Sequence, residues 1–148
     1  LRESISEAER ACGPALQYDV SVPVEAMPDF MTDAARKVEQ AFAGTSATSF
    51  GHMGDGNVHF HVRAPAGSEG GQGWMAEQGK PVSRFVHDLV VVAGGSISAE
   101  HGIGQMKRAE LGRLSSPARL AALRAIKAGL DPEGIMNPEK LIPLASED

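Results

Sequence analysis

A short glycine-rich link between two alternating segments constrains the fold of this chain most strongly. Residues 45–53 are rich in Thr, Ser and Phe, residues 58–64 alternate apolar with polar side chains, and residues 54–57 between them read GDGN. Alternation is typical of strands with one buried face, and Asp-Gly favours a tight turn between antiparallel strands. The sequence therefore predicts a β-hairpin with a two-residue turn at Asp55 and Gly56.

The other periodic segments predict helices and further strands on both sides of this hairpin. Apolar spacing predicts helices over residues 2–11, 30–43, 82–93, 105–114 and 117–129, and alternation predicts a first strand over 18–22 and a short last strand over 96–99. Ser116 is predicted to cap the last of these helices, with Pro117 in its first turn. The central order is strand, helix, strand, strand, helix, strand, which is the ferredoxin-like split βαβ arrangement. We therefore predict an α+β fold with one antiparallel sheet, helices added at both ends, and a single domain over residues 1–148.

Composition excludes several classes of protein. The chain has 148 residues, of which 42% are hydrophobic and 22% charged, as expected of one soluble domain. Its longest apolar run, residues 89–93, is far shorter than the roughly 18 residues that cross a bilayer. The net charge of −5 and the lack of a basic stripe argue against nucleic acid as a partner. The single cysteine, Cys12, excludes an internal disulfide and predicts a reducing compartment, the cytoplasm.

The hairpin brings histidines together. With a two-residue turn, His52 lies directly opposite His59, and His61 shares their face opposite Phe50. Opposed Cβ atoms are about 4.5–5.5 Å apart, so both imidazoles could reach one metal ion. Histidines on a strand also commonly cover a polar sheet face without binding anything. The residues alone leave both interpretations open.

A second cluster reads SAEHGIG over residues 98–104. Neighbours on an extended segment point to opposite sides, so Glu100 could bind a metal while His101 faces a substrate or cofactor. Two histidines and one carboxylate are common ligands of catalytic zinc or iron. The same cluster is also compatible with a glycine-rich helix entry. In a simple ferredoxin-like order the last strand leaves the sheet away from the hairpin turn, so Glu100 reaches the histidines only if that strand is offset.

Four motifs together resemble the C-terminal domain of FAD-linked oxidases, a family with glycolate oxidase subunits, D-lactate dehydrogenases and D-2-hydroxyglutarate dehydrogenases. They are GHMGDGNVH over 51–59, SAEHGIG over 98–104, DP over 131–132 and IMNPEK over 135–140. The resemblance implies oxidation of a small D-2-hydroxy acid by FAD, which a preceding domain of the same polypeptide would mainly hold. It therefore implies a C-terminal fragment that is inactive alone.

The resemblance also assigns metal and flavin residues. His52, His59 and Glu100 match positions that hold a divalent ion, usually described as zinc. His101 matches a residue at the flavin and substrate, where it would act as the general base that takes the hydroxyl proton. Asn137 matches a residue that approaches the flavin.

At several of the substrate positions implied by the resemblance, this chain carries a different amino acid from the hydroxyglutarate enzymes. Arg2 and Ser6 match positions that bind a substrate carboxylate. Gln17 stands where those enzymes carry Lys, His61 stands where they carry Asn, and Glu139 replaces the usual Gly before the last lysine. Because a neutral amide pairs poorly with a buried carboxylate, we expect glycolate-like or D-lactate-like monocarboxylates to be preferred over D-2-hydroxyglutarate.

Two other functions are compatible with the residues. A stand-alone metal-dependent hydrolase would use the same histidines to activate water. A ferredoxin-like regulatory or oligomerisation module would carry structural histidines and bind no metal. The sequence also leaves homodimer formation open.

Overall fold

The computed structural model describes residues 2–68 and 71–142, without the side chains of Arg2, Glu3, Ser6 and Arg10. The chain forms two compact units, Leu1–Glu100 and His101–Asp148. In these described stretches, no helix is both long enough and apolar enough to cross a membrane.

The first unit is built on a three-stranded antiparallel sheet. Its strands are β1 (Ala15–Ser21), β2 (Ser46–His52) and β3 (Asn57–Arg63), with β3 in the centre. Val58 and Phe60 of β3 are completely buried on one face of the sheet. Because successive side chains of a strand point to opposite faces, the intervening residues form a second face, which is largely polar.

Two helices cover the apolar face of the sheet. They are α2 (Met27–Ala41), which follows a short 3₁₀ helix (Val24–Ala26), and α3 (Gln72–Val92). Their buried side chains join those of the strands in one core, which includes Phe30, Val38, Val82, Val86 and Val90. A third helix, α1 (Arg2–Ala11), precedes β1.

A histidine of α3 also lies in this core. His87 is 3% exposed, and its ring packs edge-on against Tyr18 with 5.8 Å between ring centroids. The Tyr18 hydroxyl forms a 3.0 Å hydrogen bond with Ser83, and burial raises the pKa of Tyr18 to about 12. The environment of His87 is therefore structural.

The second unit contains α4 (Arg108–Leu114), α5 (Pro117–Leu130) and the segment that follows them. The Ser116 side chain accepts a 3.2 Å hydrogen bond from the backbone N–H of Arg119, which caps α5 as its sequence predicts. Pro117 occupies the first turn, where its missing N–H leaves no hydrogen bond unmade.

The hairpin forms, but its predicted register is wrong. His52 pairs with Asn57, and Phe50 pairs with His59, so the two histidines are diagonal neighbours rather than directly opposed. The loop therefore contains four residues, 53–56, instead of two. The even shift keeps both histidines on the same face of the sheet.

Gly56 explains the longer loop. Its carbonyl accepts a 3.0 Å hydrogen bond from the N–H of Val22, which continues the pairing of β3 with β1. Its φ of +74° suits glycine, and a Cβ at this position would lie 2.0 Å from the carbonyl oxygen of Val22. Pairing with β1 thus outweighs the local preference of Asp-Gly for a two-residue turn.

The predicted last strand is reduced to one bridge, between Ser21 of β1 and Ser96. The Ser96 hydroxyl donates a 3.0 Å hydrogen bond to the carbonyl of Ser98, which bends the chain away from strand geometry. The bridge still lies at the free edge of β1, which is where a ferredoxin-like fold places its last strand. The predicted α+β class with an antiparallel sheet is confirmed.

Candidate metal and substrate site

The polar face of the sheet carries the predicted histidines. In β1, Asp19 lies directly opposite His59. In β2, Phe50 pairs with His59 and Thr48 pairs with His61, so the expectation that His61 faces Phe50 is wrong. The four-residue loop shifts these partners without moving either histidine off the polar face.

His52, His59 and Glu100 form one group of possible metal ligands. One ligand atom from each side chain lies within 4.8 Å of the others, and the two histidine rings are 5.5 Å apart between centroids. Both histidines are half-buried, and Glu100 is exposed. Two imidazole nitrogens and one carboxylate oxygen suit zinc, whose tetrahedral bonds of about 2 Å place ligand atoms roughly 3.3 Å apart, so binding would draw these side chains closer by about 1.5 Å at most. The chemistry and spacing of the three donors therefore fit a divalent ion.

Glu100 reaches the histidines because the chain is offset after its bridge to β1. A regular continuation of the Ser21–Ser96 pair would place Ser98 opposite Asp19. Instead Ala99 donates its N–H to the carbonyl of Asp19 at 3.4 Å, one residue later. This extra residue is the kind of offset that the sequence argument required.

Asp19 belongs to this group too, although no motif in the sequence singled it out. Its side chain is 3% exposed, and one carboxylate oxygen accepts a 2.8 Å hydrogen bond from the backbone N–H of Glu100. The other oxygen lies 3.7 Å from Nδ1 of His59. A signal was available, since Tyr18 and Val20 alternate on the apolar face and so place Asp19 on the polar one.

A second polar group surrounds Glu9 of α1. Its Oε2 lies 2.8 Å from Nδ1 of His61 and also pairs with the guanidinium of Arg63. The hydroxyl of Thr48 lies 3.2 Å from the other Glu9 oxygen. Burial alone would raise the pKa of Glu9, but the hydrogen bonds from His61 and Arg63 hold it below its ordinary value. Glu9 is therefore ionised at neutral pH and ties α1 to β2 and β3.

Phe50 separates the two polar groups. Its ring centroid is 5.2 Å from that of His59 and 5.4 Å from that of His61. The rings of His52, His59, Phe50 and His61 consequently follow one another across the polar face, from the possible metal ligands to Glu9.

The remaining predicted substrate and base residues lie on three separate stretches of the chain. Gln17 is exposed and lies directly opposite His61 in the strand pairing. Residues 2 and 6 belong to α1, but the predicted contacts of Arg2 and Ser6 concern side chains outside those described. His101 is exposed and begins the second unit.

Asn137 lies in a turn of the second unit that Asp131 organises. The Asp131 carboxylate pairs with Lys127 and accepts backbone hydrogen bonds from Ile135 at 3.0 Å and Met136 at 2.9 Å. The Lys127 hydrogen bond, with help from those backbone groups, lowers the pKa of Asp131 against the effect of burial. Asn137 itself has a φ of +46°, a conformation that Asn tolerates better than most residues.

Comparison with known proteins gives a consistent family match. A sequence model of the family described as FAD linked oxidases, C-terminal domain, matches residues 1–141. Similar curated proteins include the mitochondrial D-2-hydroxyglutarate dehydrogenases of Arabidopsis thaliana, 34% identical, and Rattus norvegicus, 36% identical, each over 97% of this chain. The D-2-hydroxyglutarate dehydrogenase of Stutzerimonas stutzeri (strain A1501) is 38% identical over 95% of it. The matched segment spans 24%, 25% and 30% of the length of these three relatives, respectively.

Proposed function

Because the chain belongs to the C-terminal domain family of FAD-linked oxidases, we propose that it forms the metal- and substrate-binding part of an FAD-dependent oxidoreductase of D-2-hydroxy acids. The flavin would be held mainly by a further domain of the same polypeptide. The observation that carries the proposal is the convergence of His52, His59 and Glu100 on the polar face of the sheet. The names of the relatives support the same reaction class.

His52, His59 and Glu100 would hold a divalent ion, for which zinc is our candidate. When bound, such an ion lowers the pKa of a coordinated hydroxyl group and neutralises a carboxylate. The buried carboxylate of Asp19 supports this assignment, because metal-binding histidines commonly have a carboxylate behind the ring. Asp19 also holds the backbone of Glu100, which limits the freedom of an otherwise exposed ligand.

His101 would take the proton of the substrate 2-hydroxyl group as general base. The motif over residues 98–104, which contains both Glu100 and His101 and resembles that of FAD-linked oxidases, supports this role. The flavin supplies the acceptor for the hydride that leaves the α-carbon. Asn137 would contact the flavin, with its turn held by Asp131.

We propose a monocarboxylate such as D-lactate or glycolate as the preferred substrate. Gln17 offers a neutral amide, and His61 is already engaged by Glu9. D-2-hydroxyglutarate is the second candidate, because the similar curated proteins carry its name. Arg2 is the residue through which this chain would hold a second carboxylate.

The substrate proposal is tested with the full-length gene product loaded with FAD. We expect kcat/KM for D-lactate or glycolate to exceed the values for D-malate and D-2-hydroxyglutarate. Gln17→Lys should shift the ratio toward the diacids, because an ammonium group would then face the distal carboxylate. A higher value for either diacid in the unmodified protein contradicts the preference for monocarboxylates. Failure to reduce the flavin with any of the four acids contradicts the reaction class and favours the hydrolase or regulatory alternative.

Location and assembly complete the proposal. Cys12 is free and exposed, and we propose the cytoplasm as the compartment of the protein. Homodimer formation stays a prediction that light scattering on the purified protein would check.

A further inference from the structure

We call Glu9, His61, Arg63 and Thr48 the Glu9 group. In it, opposite charges pair within the protein on the same face of the sheet that carries the possible metal ligands. The side chains of Glu9, His61 and Arg63 are 17%, 11% and 13% exposed. Arg63 also donates to the hydroxyl of Thr48 at 3.2 Å and to the backbone carbonyl of Glu9 at 3.3 Å. The carboxylate of Glu9 thus occupies cationic donors that would otherwise be available to another anion.

The position of the Glu9 group relative to the possible metal ligands decides which part of a bound substrate would lie near it. His59 and His61 are two residues apart on β3, which is about 7 Å along a strand. The ring of Phe50 fills the interval and contacts both histidines. A 2-hydroxy acid bound by its hydroxyl and carboxylate at His52 and His59 has an apolar surface beside it and the Glu9 carboxylate beyond that surface.

A substrate tail that follows this row of rings runs from the possible metal ligands past Phe50 toward the Glu9 carboxylate. An apolar tail would pack on Phe50, whereas a distal carboxylate would approach Glu9 and find Arg63 already paired. Because Glu9 already compensates the charge of Arg63, a distal carboxylate would lose its hydration here without gaining an unpaired cation, and the Glu9 carboxylate itself would repel it. Charge placement on this face therefore favours tails without a carboxylate.

We propose that Glu9 is a specificity-determining residue, an internal carboxylate that pairs with Arg63 and His61 and so excludes 2-hydroxy acids with a charged tail. This inference rests on the proposed function, because it takes the metal group as the binding point of the substrate head. At Gln17 a cation is missing. In the Glu9 group a cation, Arg63, is present, but Glu9 neutralises its charge.

The test compares two substrates of equal length, D-2-hydroxypentanoate and D-2-hydroxyglutarate, on the FAD-loaded full-length protein. Glu9→Gln keeps the shape of the side chain and removes its charge. Since a hydrogen bond to a charged group contributes about 1.5–3 kcal/mol, we expect the kcat/KM ratio of hydroxyglutarate to hydroxypentanoate to rise about 10- to 100-fold. Glu7→Gln is the matched control, because Glu7 is an exposed carboxylate on the same helix. It should leave the ratio within about twofold of the unmodified protein.

A second substitution tests the cation directly. Adding Arg63→Gln to Glu9→Gln should abolish the gain, because no guanidinium remains to pair with the distal carboxylate. Both kcat/KM values are measured on the same preparation of each variant. A reduced fraction of folded protein lowers both values equally and does not change their ratio. If Glu9→Gln yields no folded protein, inhibition of the unmodified protein gives the answer. Pentanoate should then bind at least about tenfold more tightly than glutarate.

The outcomes separate the inference from the proposed function. Oxidation of both substrates with an unchanged ratio in Glu9→Gln, or glutarate binding as tightly as pentanoate, overturns the role of Glu9 and leaves the proposed function intact. Failure of the unmodified protein to oxidise these two acids and also D-lactate and glycolate overturns the proposed function itself. If only the two longer acids fail, the inhibition comparison of pentanoate with glutarate decides the role of Glu9.

Discussion

Substitution of Asp19 by Asn should weaken metal binding without unfolding the protein. The amide oxygen of Asn can still accept the N–H of Glu100, but without the charge that makes the 2.8 Å hydrogen bond strong. This change loses about 1 kcal/mol, the difference between a charged and a neutral acceptor. The negative charge 3.7 Å from Nδ1 of His59 is lost as well. Carboxylates behind a metal-binding histidine typically contribute 10- to 100-fold in metal affinity. We therefore expect the Kd for zinc to rise about 10- to 100-fold in Asp19→Asn, and further in Asp19→Ala.

The assay is competition for zinc against a chelator of known affinity, with the full-length protein. Asp29→Asn is the matched control, because Asp29 is an exposed carboxylate in the first turn of α2, on the other side of the sheet. Thermal unfolding of the metal-free proteins checks that each variant is folded. A zinc Kd that is unchanged within about twofold in a folded Asp19→Asn protein refutes the orienting role of Asp19.

Three further predictions follow from individual residues. His101→Ala should slow flavin reduction by a 2-hydroxy acid about 10²–10⁴-fold while the metal content stays unchanged, as measured by stopped-flow absorbance and elemental analysis; an unchanged rate removes His101 from the reaction. Because the pKa of Glu9 is lowered by folding, its stabilising effect is complete above its unfolded pKa and is lost as the pH falls through its folded pKa. The free energy of unfolding lost in Glu9→Gln should therefore be larger at about pH 6 than at about pH 3, and equal losses would contradict the ion pairing. Gly56→Ala should lower the free energy of unfolding, measured in urea, by at least about 2 kcal/mol, because it combines a positive φ with a clash at Val22. Gly54→Ala should lower it much less, because Gly54 has open space around it. Equal losses in the two variants would contradict the close contact at Gly56.

The sequence predicted those parts of the structure that depend on local patterns. Alternation in residues 58–62 identifies the strand whose Val58 and Phe60 are completely buried, and apolar spacing identifies the helices that cover them, although α3 begins at Gln72, ten residues before its predicted start. The serine cap of α5 was likewise visible, since Ser116 and Pro117 form a characteristic helix start. These features follow from contacts between near neighbours in the chain.

The hairpin register was wrong because it depends on a third strand. Asp55-Gly56 favours a two-residue turn locally, but the carbonyl of Gly56 accepts a hydrogen bond from the N–H of Val22, in the segment after β1. No pattern within the hairpin reports that pairing. The two histidines stayed on one face because the shift is even, so the predicted grouping of His52 with His59 survived an error in their exact opposition.

The Glu9 group could not be predicted because it joins distant elements. Glu9 precedes His61 by 52 residues and Arg63 by 54, and only the placement of α1 on the polar face brings them together. Asp19 was predictable in part, because alternation in β1 places it on the polar face. Its contact with Glu100 depends on the bend after Ser96, which the predicted strand over 96–99 did not include.

The most direct test of the central claim is flavin reduction by a D-2-hydroxy acid before chelation, after chelation and after return of zinc to the full-length protein. We predict that reduction is lost with the metal and restored with it. His52→Ala should lower metal content and reduction together, whereas Met53→Ala, an exposed neighbour on the same hairpin, should change neither. Full reduction in chelated, metal-free protein would contradict the metal site.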